Sequence, residues 1–132
     1  MLLAEVTMLM PREDARDVLL APGLWRAARA ARGAHVVDDG GRWRAGVAVI
    51  PDGAGRCWIS GWRAWDVKAP QLRPLLRWWR GGERERWREV RAWIAADDAR
   101  AKRFAAWCGL RYDCGPASGI SPAGRDMELW RS

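Results

Sequence analysis

The chain has 132 residues, a formal net charge of +7, and 49% of its residues are hydrophobic. That length predicts one domain over residues 1–132, and the hydrophobic content excludes a disordered chain. No apolar run reaches the length of a membrane span and the first residues lack a basic leader, so we expect a soluble intracellular protein.

The first third of the chain predicts a strand followed by two helices. Residues 2–10 alternate loosely and suit a strand. A helix is predicted from Pro11, where a missing N–H costs nothing, up to residues 22–23. A second helix is predicted over residues 24–32, with Gly33 as its stop signal.

Alternating segments separated by glycine-rich turns follow. Strands are predicted over residues 34–37, 42–50 and 56–67, with turns at residues 38–41 and 51–55. Two such turns between alternating segments indicate an antiparallel meander.

The next segment predicts a helix and then an ambiguous stretch. Residues 69–80 carry leucines and Trp79 at helical spacing, Pro74 moves the helix start to about itself if it lies inside, and residues 81–82 end the element. Residues 83–96 fit a helical face and a strand face equally well.

The last third predicts a capped helix between strands. Asp98 is a helix N-cap, and Gly109 ends the helix. The apolar stripe of this helix comprises Ala101, Phe104, Ala105 and Cys108. Residues 110–114 and 127–130 predict two closing strands.

Metal and cysteine chemistry are poorly supported. The three cysteines (Cys57, Cys108 and Cys114) form no CxxC pair, and His35 is the single histidine. A zinc site needs about four ligands at close spacing, so we expect no metal. Catalysis by a cysteine with His35 is a remote alternative.

The order of these elements, together with Asp98, Ala101, Phe104 and the Gly109-Leu110 corner, resembles the GNAT family of acyl-CoA N-acyltransferases. The resemblance implies an α/β (α+β) fold, with a mixed, mostly antiparallel sheet of six to seven strands flanked by about four helices. It also favours a strand over residues 89–95. The segment at residues 55–80 further resembles divergent phage-encoded members that are acetyltransferase-like or virion-associated.

Two departures from the family pattern argue against catalysis. Members with activity bind the pyrophosphate of acetyl-CoA through a glycine-rich turn after the fourth strand, whereas residues 66–74 contain no glycine and two prolines. The tyrosine that protonates the leaving thiolate in the family aligns with Ala105, and Tyr112 lies beyond the helix. No catalytic residue is therefore assigned.

Candidate binding residues follow from the same comparison. The edge of the implied cofactor cleft comprises Trp62, Arg63, Ala64 and Lys68. The candidates for contact with a partner are Trp65, Arg77, Trp78, Trp79 and Arg80, since tryptophan and arginine are favoured at interfaces.

The leading functional hypothesis is a non-catalytic phage or prophage accessory or virion protein, in the host cytoplasm or in the virion. It would bind phage structural subunits or a second copy of itself and need no cofactor. The alternative is an acetyl-CoA-dependent N-acetyltransferase. A third is a basic nucleic-acid-binding protein, because arginine and tryptophan interleave over residues 77–93, although Glu83, Glu85 and Glu89 interrupt the run.

Overall fold

The computed structural model describes residues 2–6, 32–40, 42–64, 66–121 and 124–132. Within these ranges seven strands form one sheet in the order β1-β2-β3-β4-β5-β7-β6. The strands are β1 (Leu2–Val6), β2 (Arg32–Val37), β3 (Trp43–Pro51), β4 (Arg56–Arg63), β5 (Glu89–Ala95), β6 (Arg111–Ala117) and β7 (Met127–Arg131). The predicted mixed, mostly antiparallel α+β architecture is confirmed.

Strands β2 to β4 form the predicted antiparallel meander, and β1 pairs with β2, also antiparallel. The turn before β3 is closed by the Asp38 carboxylate, which accepts hydrogen bonds from the backbone N–H groups of Gly40 and Arg42 at 2.9 and 3.0 Å. The turn before β4 places Gly53, Ala54 and Gly55 at positive φ, the conformation that glycine adopts without strain. Turn chemistry therefore sets the register of the meander.

The pairing of β4 with β5 is parallel and short. Three residue pairs join the strands, from Arg56 opposite Glu89 to Trp58 opposite Arg91. Beyond Trp58, β4 continues to Arg63 and β5 continues to Ala95 with no further pairing between these described residues. The two strands therefore diverge and leave an opening in the middle of the sheet.

A helical segment crosses from β4 to β5. It comprises a 3₁₀ turn (Ala69–Leu72), helix α1 (Arg73–Trp78), a wide π-type turn (Trp79–Glu83) and a second 3₁₀ turn (Arg84–Arg86). Helix α1 begins at Arg73, so its start lies at about Pro74, as predicted, and Pro74 occupies the first turn, where its missing N–H has no helical partner. The backbone leaves helical geometry at Gly82 (φ 149°), where the sequence predicts the end of the helix, and a separate 3₁₀ turn follows to Arg86.

Helix α2 (Ala99–Trp107) begins and ends where the sequence predicts. The Asp98 carboxylate accepts a hydrogen bond from the Ala101 N–H at 2.9 Å. At the other end Gly109 has φ 89°, and the Leu110 N–H donates to the Ala105 carbonyl at 3.0 Å. Both ends are therefore capped within the chain.

The core lies between one face of the sheet and the two helices. Alternate residues of the central strands point into it, as a pleated strand requires. Its fully buried members include Ala34, Val36, Ala45, Val49, Cys57 and Val90 from the sheet, and it continues through Leu75, Trp79, Ala105 and Leu110.

Several predicted boundaries are corrected. The helix predicted over residues 24–32 cannot include Arg32, which begins β2, and Gly33 lies within that strand instead of stopping a helix. Strand β4 ends at Arg63 instead of residue 67, and β6 is displaced to Arg111–Ala117. The rest of the segment in which the two early helices were predicted lies outside the described residues. In the part of the chain that the structure describes, no helix is long and apolar enough to span a membrane.

Candidate functional site

The divergence of β4 and β5 opens a cleft of about 400 Å³. The C-terminal halves of the two strands form its centre, the start of the crossover segment forms one wall, and α2 forms another. Its lining includes Ile59, Gly61, Arg63, Lys68, Ala69, Leu72, Leu75, Ala92, Trp93, Ala95, Asp98, Arg100, Ala101, Arg103, Phe104, Trp107 and Arg125.

The floor of the cleft is apolar. Val47 and Ile59 from the sheet, Leu75 from α1 and Ala92 from β5 are all buried and all line it. These are the same side chains that alternate toward the core, so the floor is a continuation of the core that the missing strand pairing leaves uncovered. Such a surface suits a hydrocarbon or amide arm of a ligand.

The rim of the cleft is cationic. Among the described residues that line it, five carry a positive charge and one, Asp98, carries a carboxylate. The positive residues are Arg63, Lys68, Arg100, Arg103 and Arg125. Low-dielectric walls strengthen the field of such a set, so the cleft attracts anions.

One of these positive charges is partly offset. The Arg125 guanidinium donates to Asp97 Oδ1 at 2.8 Å, and this hydrogen bond holds the pKa of the exposed Asp97 carboxyl below its usual range. Asp98 Oδ1 is engaged by the Ala101 N–H. The carboxylate of the cleft therefore has a structural role, as the cap of α2.

The backbone N–H groups at the start of the crossover segment are largely occupied. The Lys68 N–H donates to the side-chain Oε1 of Gln71 at 2.9 Å, and the Gln71 N–H donates to the Lys68 carbonyl at 3.0 Å. Pro70 has no N–H, and the Arg73 N–H donates to the Pro70 carbonyl. An anion at this turn would therefore be bound chiefly by side chains.

Residues with acid–base or nucleophilic chemistry lie elsewhere. Burial raises the pKa of the Cys57 and Cys108 thiols to about 12, so both are protonated and unreactive at neutral pH. Burial lowers the pKa of His35, which lies on β2. The Tyr112 hydroxyl donates to the Gly115 carbonyl at 2.6 Å on β6. Among the described residues that line the cleft there is no histidine, cysteine or tyrosine.

Only some of the predicted cleft-edge residues are found to line the cleft. Arg63 and Lys68 line the cleft. Ala64 instead packs against the core, with its N–H donating to the Arg44 carbonyl at 2.8 Å. Trp62 lies on β4 opposite Gly46, and its side chain is outside the described part of the structure.

The predicted partner-binding residues differ in their exposure. Trp79 is only 3% exposed and its indole N–H donates to the Cys108 carbonyl at 2.9 Å, so its assignment as a surface anchor is corrected: it is a core residue. Trp78 is half-buried against the core, whereas Arg77 and Arg80 are exposed. Trp65 lies outside the described residues.

Sequence reasoning missed the contribution of α2 and of Arg125 to the cleft. Arg100, Arg103 and Trp107 recur at intervals of three and four residues, which places them along one side of the helix. That spacing was a usable signal. Whether this side of α2 faces a cleft depends on how α2 packs across the diverging strands, and the local pattern does not encode that packing.

Comparisons with known proteins bear on the fold. No protein-family model matches the sequence, and no curated protein matches it. Among solved structures, an IAA acetyltransferase from Bacillus cereus superposes with a TM-score of 0.67 at 10% identity, covering 98% of this chain and 97% of that one.

Two further structures are similar. An acetyltransferase of the GNAT family from Streptococcus pneumoniae gives a TM-score of 0.59 at 11% identity, covering 83% of this chain and 71% of that one. A spermidine N-acetyltransferase from Vibrio cholerae, in complex with CoA and spermine, gives 0.60 at 14% identity, and the match covers 78% of this chain and 65% of that protein. Identities this low establish architecture alone, and the chain has the GNAT fold.

Proposed function

We propose that the protein binds an acyl-coenzyme A in the cleft between β4 and β5 and transfers the acyl group to an amine, as an N-acetyltransferase. The observation that carries this proposal is the cleft itself, in which an apolar floor meets a cationic rim. A coenzyme A thioester combines an uncharged arm with phosphate groups, and the cleft offers a surface for each. The similar Vibrio cholerae enzyme was solved with CoA bound, which supports the choice of ligand class.

The phosphates would be held by side chains instead of backbone amides. The amides at Lys68, Gln71 and Arg73 are already engaged, but the Lys68 ammonium and the guanidinium groups of Arg100 and Arg103 border the cleft. Guanidinium binds phosphate through paired, charge-assisted hydrogen bonds. Side chains would thus bind the phosphates in place of the glycine-rich turn that residues 66–74 lack.

The chemistry is a transfer from a thioester. When bound, the thioester would supply a carbonyl carbon to which the amine nitrogen bonds, the C–S bond would break, and the proton that the nitrogen loses would pass by way of water to the departing thiolate. The chain contributes position, by holding the acyl arm on the floor beside β5. A placed acid or base contributes about 10²–10⁴-fold, and no described cleft residue supplies one, so we expect slow turnover.

Calorimetry with acetyl-CoA tests binding. The variant K68Q/R103Q removes two rim charges, and each charge-assisted hydrogen bond is worth about 1.5–3 kcal/mol, so affinity should fall by about 10-fold or more. The control R88Q/R111Q removes two exposed arginines outside the cleft and should bind within about two-fold of the parent. Absence of heat at millimolar acetyl-CoA, or equal losses in both variants, would contradict the proposal.

Mass spectrometry of a mixture of primary amines incubated with acetyl-CoA tests transfer. We expect acetylated product that accumulates slowly and falls with K68Q/R103Q. Binding without product would separate a coenzyme A-binding protein from an enzyme.

A second candidate is a non-catalytic interaction module in a phage or prophage, working in the host cytoplasm or in the virion. It is favoured by the occupied amides of the crossover turn, by the lack of a histidine, cysteine or tyrosine among the described cleft residues, and by exposed Arg77 beside half-buried Trp78. Its partner would be a phage structural subunit or a second copy. Co-purification with head or tail proteins, lost in R77A/W78A, together with no binding of acetyl-CoA, would favour it.

A further inference from the structure

The cleft opens on both faces of the sheet. Four consecutive residues at the end of β5, from Ala92 to Ala95, all line it. Successive side chains of a strand point to opposite faces. Ala92 and Ile94 belong to the core between the sheet and the helices, whereas Ala95 is buried in a separate cluster with Met127, against which Trp93 packs. We call Trp93, Ala95 and Met127, which share the face opposite the core, the second mouth of the cleft.

The two sides of the opening differ in charge. On the core side, Lys68 precedes the crossover segment, and Arg100 and Arg103 lie on α2. The three residues of the second mouth are uncharged. An acyl-coenzyme A bound as proposed above has its phosphates on the core side, so its thioester points through the opening toward the second mouth. Because the arm fills the core side, the acceptor amine reaches the thioester from the second mouth, a step that rests on the proposed function.

The ring of Trp93 at the second mouth is supported from behind. It stacks on the ring of Trp58, with centroids 6.2 Å apart and an angle of 10° between the planes. Trp58 is not one of the described residues that line the cleft. Its indole N–H donates to Asp52 Oδ2 at 3.2 Å, and the Arg91 guanidinium lies 5.8 Å from its ring centroid. These contacts fix Trp58, and Trp58 in turn orients the half-buried Trp93 at the cleft.

The uncharged second mouth selects the body of the acceptor. A hydrocarbon or aromatic body that packs there leaves water, and about 55 Å² of apolar surface so buried corresponds to about 10-fold in affinity. A second ammonium at the same place would lose its hydration. The one carboxylate among the described cleft residues, Asp98, lies on the core side as the cap of α2. We propose that the acyl acceptor is a primary amine on an apolar body, and that this body packs against Trp93, which determines acceptor specificity.

Steady-state transfer from acetyl-CoA to matched amines tests the proposal, with the acetylated product measured by chromatography and mass spectrometry. Hexylamine and cadaverine have equal length and differ in whether the far end carries a methyl or an ammonium group. We expect kcat/KM to be about 10-fold or more higher for hexylamine. A higher value for phenethylamine than for hexylamine would assign an aromatic body to the acceptor, and the reverse order would assign a hydrocarbon chain.

Variants of Trp93 separate packing of the acceptor from damage to the fold. W93A should lower kcat/KM for hexylamine by about five-fold or more and leave the value for cadaverine within about two-fold, because only the apolar body uses the ring. W93F keeps an aromatic ring and should stay within about three-fold of the parent. The control Y112A removes a ring that is 53% exposed on β6, outside the cleft, and should stay within about two-fold. Circular dichroism confirms that each variant is folded.

Calorimetry with the acetylated products measures the same preference without turnover. N-hexylacetamide and N-acetylcadaverine are titrated into the protein saturated with coenzyme A. The acetamide groups are uncharged, so the two ligands differ only in the far end of the body. The parent should bind N-hexylacetamide about five-fold or more tightly than N-acetylcadaverine, and W93A should lose most of that difference.

Three outcomes would overturn the acceptor assignment: equal use of hexylamine and cadaverine, equal binding of their acetylated products, or losses in Y112A that match those in W93A. Each of them leaves the proposed function standing if the parent binds acetyl-CoA. Absence of acetyl-CoA binding by the parent would instead contradict the proposed function, and the acceptor assignment with it. Failure of the one is thereby distinguished from failure of the other.

Discussion

Replacing Trp79 tests whether this residue belongs to the core or serves as a surface anchor. Trp79 lies where the crossover segment meets the end of α2: its ring is buried, and its indole N–H donates to the Cys108 carbonyl at 2.9 Å. Trp79→Phe keeps most of the ring but leaves a buried carbonyl without its partner, at a cost of about 1–3 kcal/mol. Trp79→Ala also opens a cavity, for a total of about 3–5 kcal/mol.

Urea unfolding followed by circular dichroism measures these losses. A domain of this size has a free energy of unfolding of about 5–15 kcal/mol and an m-value of about 1.5 kcal/mol/M. A loss of about 4 kcal/mol therefore lowers the midpoint by about 2–3 M urea. The adjacent Trp78 is the matched control: it is half-buried, so Trp78→Ala should cost less, about 1–2 kcal/mol.

The reasoning would be refuted if Trp79→Ala stayed within about 1 kcal/mol of the parent, or if Trp78→Ala were the more damaging change. Either result would mean that the ring is available at the surface, as the sequence pattern alone suggested. An unchanged m-value is expected, because neither substitution alters how much surface unfolding exposes.

Three further outcomes are expected. Asp98→Asn keeps the cap of α2 and removes the carboxylate from the cleft, so Tm should hold while acetyl-CoA affinity rises about two- to five-fold. Asp98→Ala removes the cap, so Tm measured by differential scanning fluorimetry should fall by about 3–5 °C. Burial lowers the pKa of His35, so the folded state takes up a proton less readily than the unfolded state. Stability should therefore be full above about pH 6.5 and should fall as the pH drops from about 6.5 toward the folded-state pKa. In urea unfolding at about pH 5–8, His35→Gln should flatten this pH dependence, and an unchanged pH dependence would disprove the assignment. At pH 8 a thiol reagent should modify Cys114 rapidly and reach Cys57 and Cys108 only after denaturation, which absorbance of the released chromophore quantifies.

The sheet was predictable where local chemistry decides it. The turn that contains Asp38 and the turn at residues 53–55 carry their own geometry, so the meander followed from residue types alone. The cap at Asp98 and the stop at Gly109 were predictable for the same reason. Each of these features is set by residues that are within a few positions of one another in the chain.

Residues 83–96 show the limit of local pattern. Val90 and Ile94 satisfy a helical repeat and a strand repeat at once, and only the resemblance favoured the strand that the structure contains over Glu89–Ala95. The physical reason is tertiary: β4 and β7 supply hydrogen-bonding partners on both sides of this segment. Propensity does not record the presence of those neighbours.

The cleft was only partly predictable. Arg63 is the last residue of β4 and Lys68 follows it in the chain, so the element order alone places them near the divergence of the strands. Arg103 and Arg125 lie far along the chain from these two residues, and the packing of α2 and the approach to β7 bring them to the cleft. Trp79 was misassigned because two adjacent tryptophans leave open which one faces inward, and the hydrogen bond to the Cys108 carbonyl settles that question only in three dimensions.

The short junction between β4 and β5 has a consequence for protein engineering. Strands β1 to β4 share one antiparallel ladder and β5, β7 and β6 share another, while three residue pairs connect the two. A break in the backbone after Arg63 would cut none of those ladders. The chain is thus suited to division into two complementing fragments, with reassembly reported by a split fluorescent reporter and promoted by any molecule that bridges both halves.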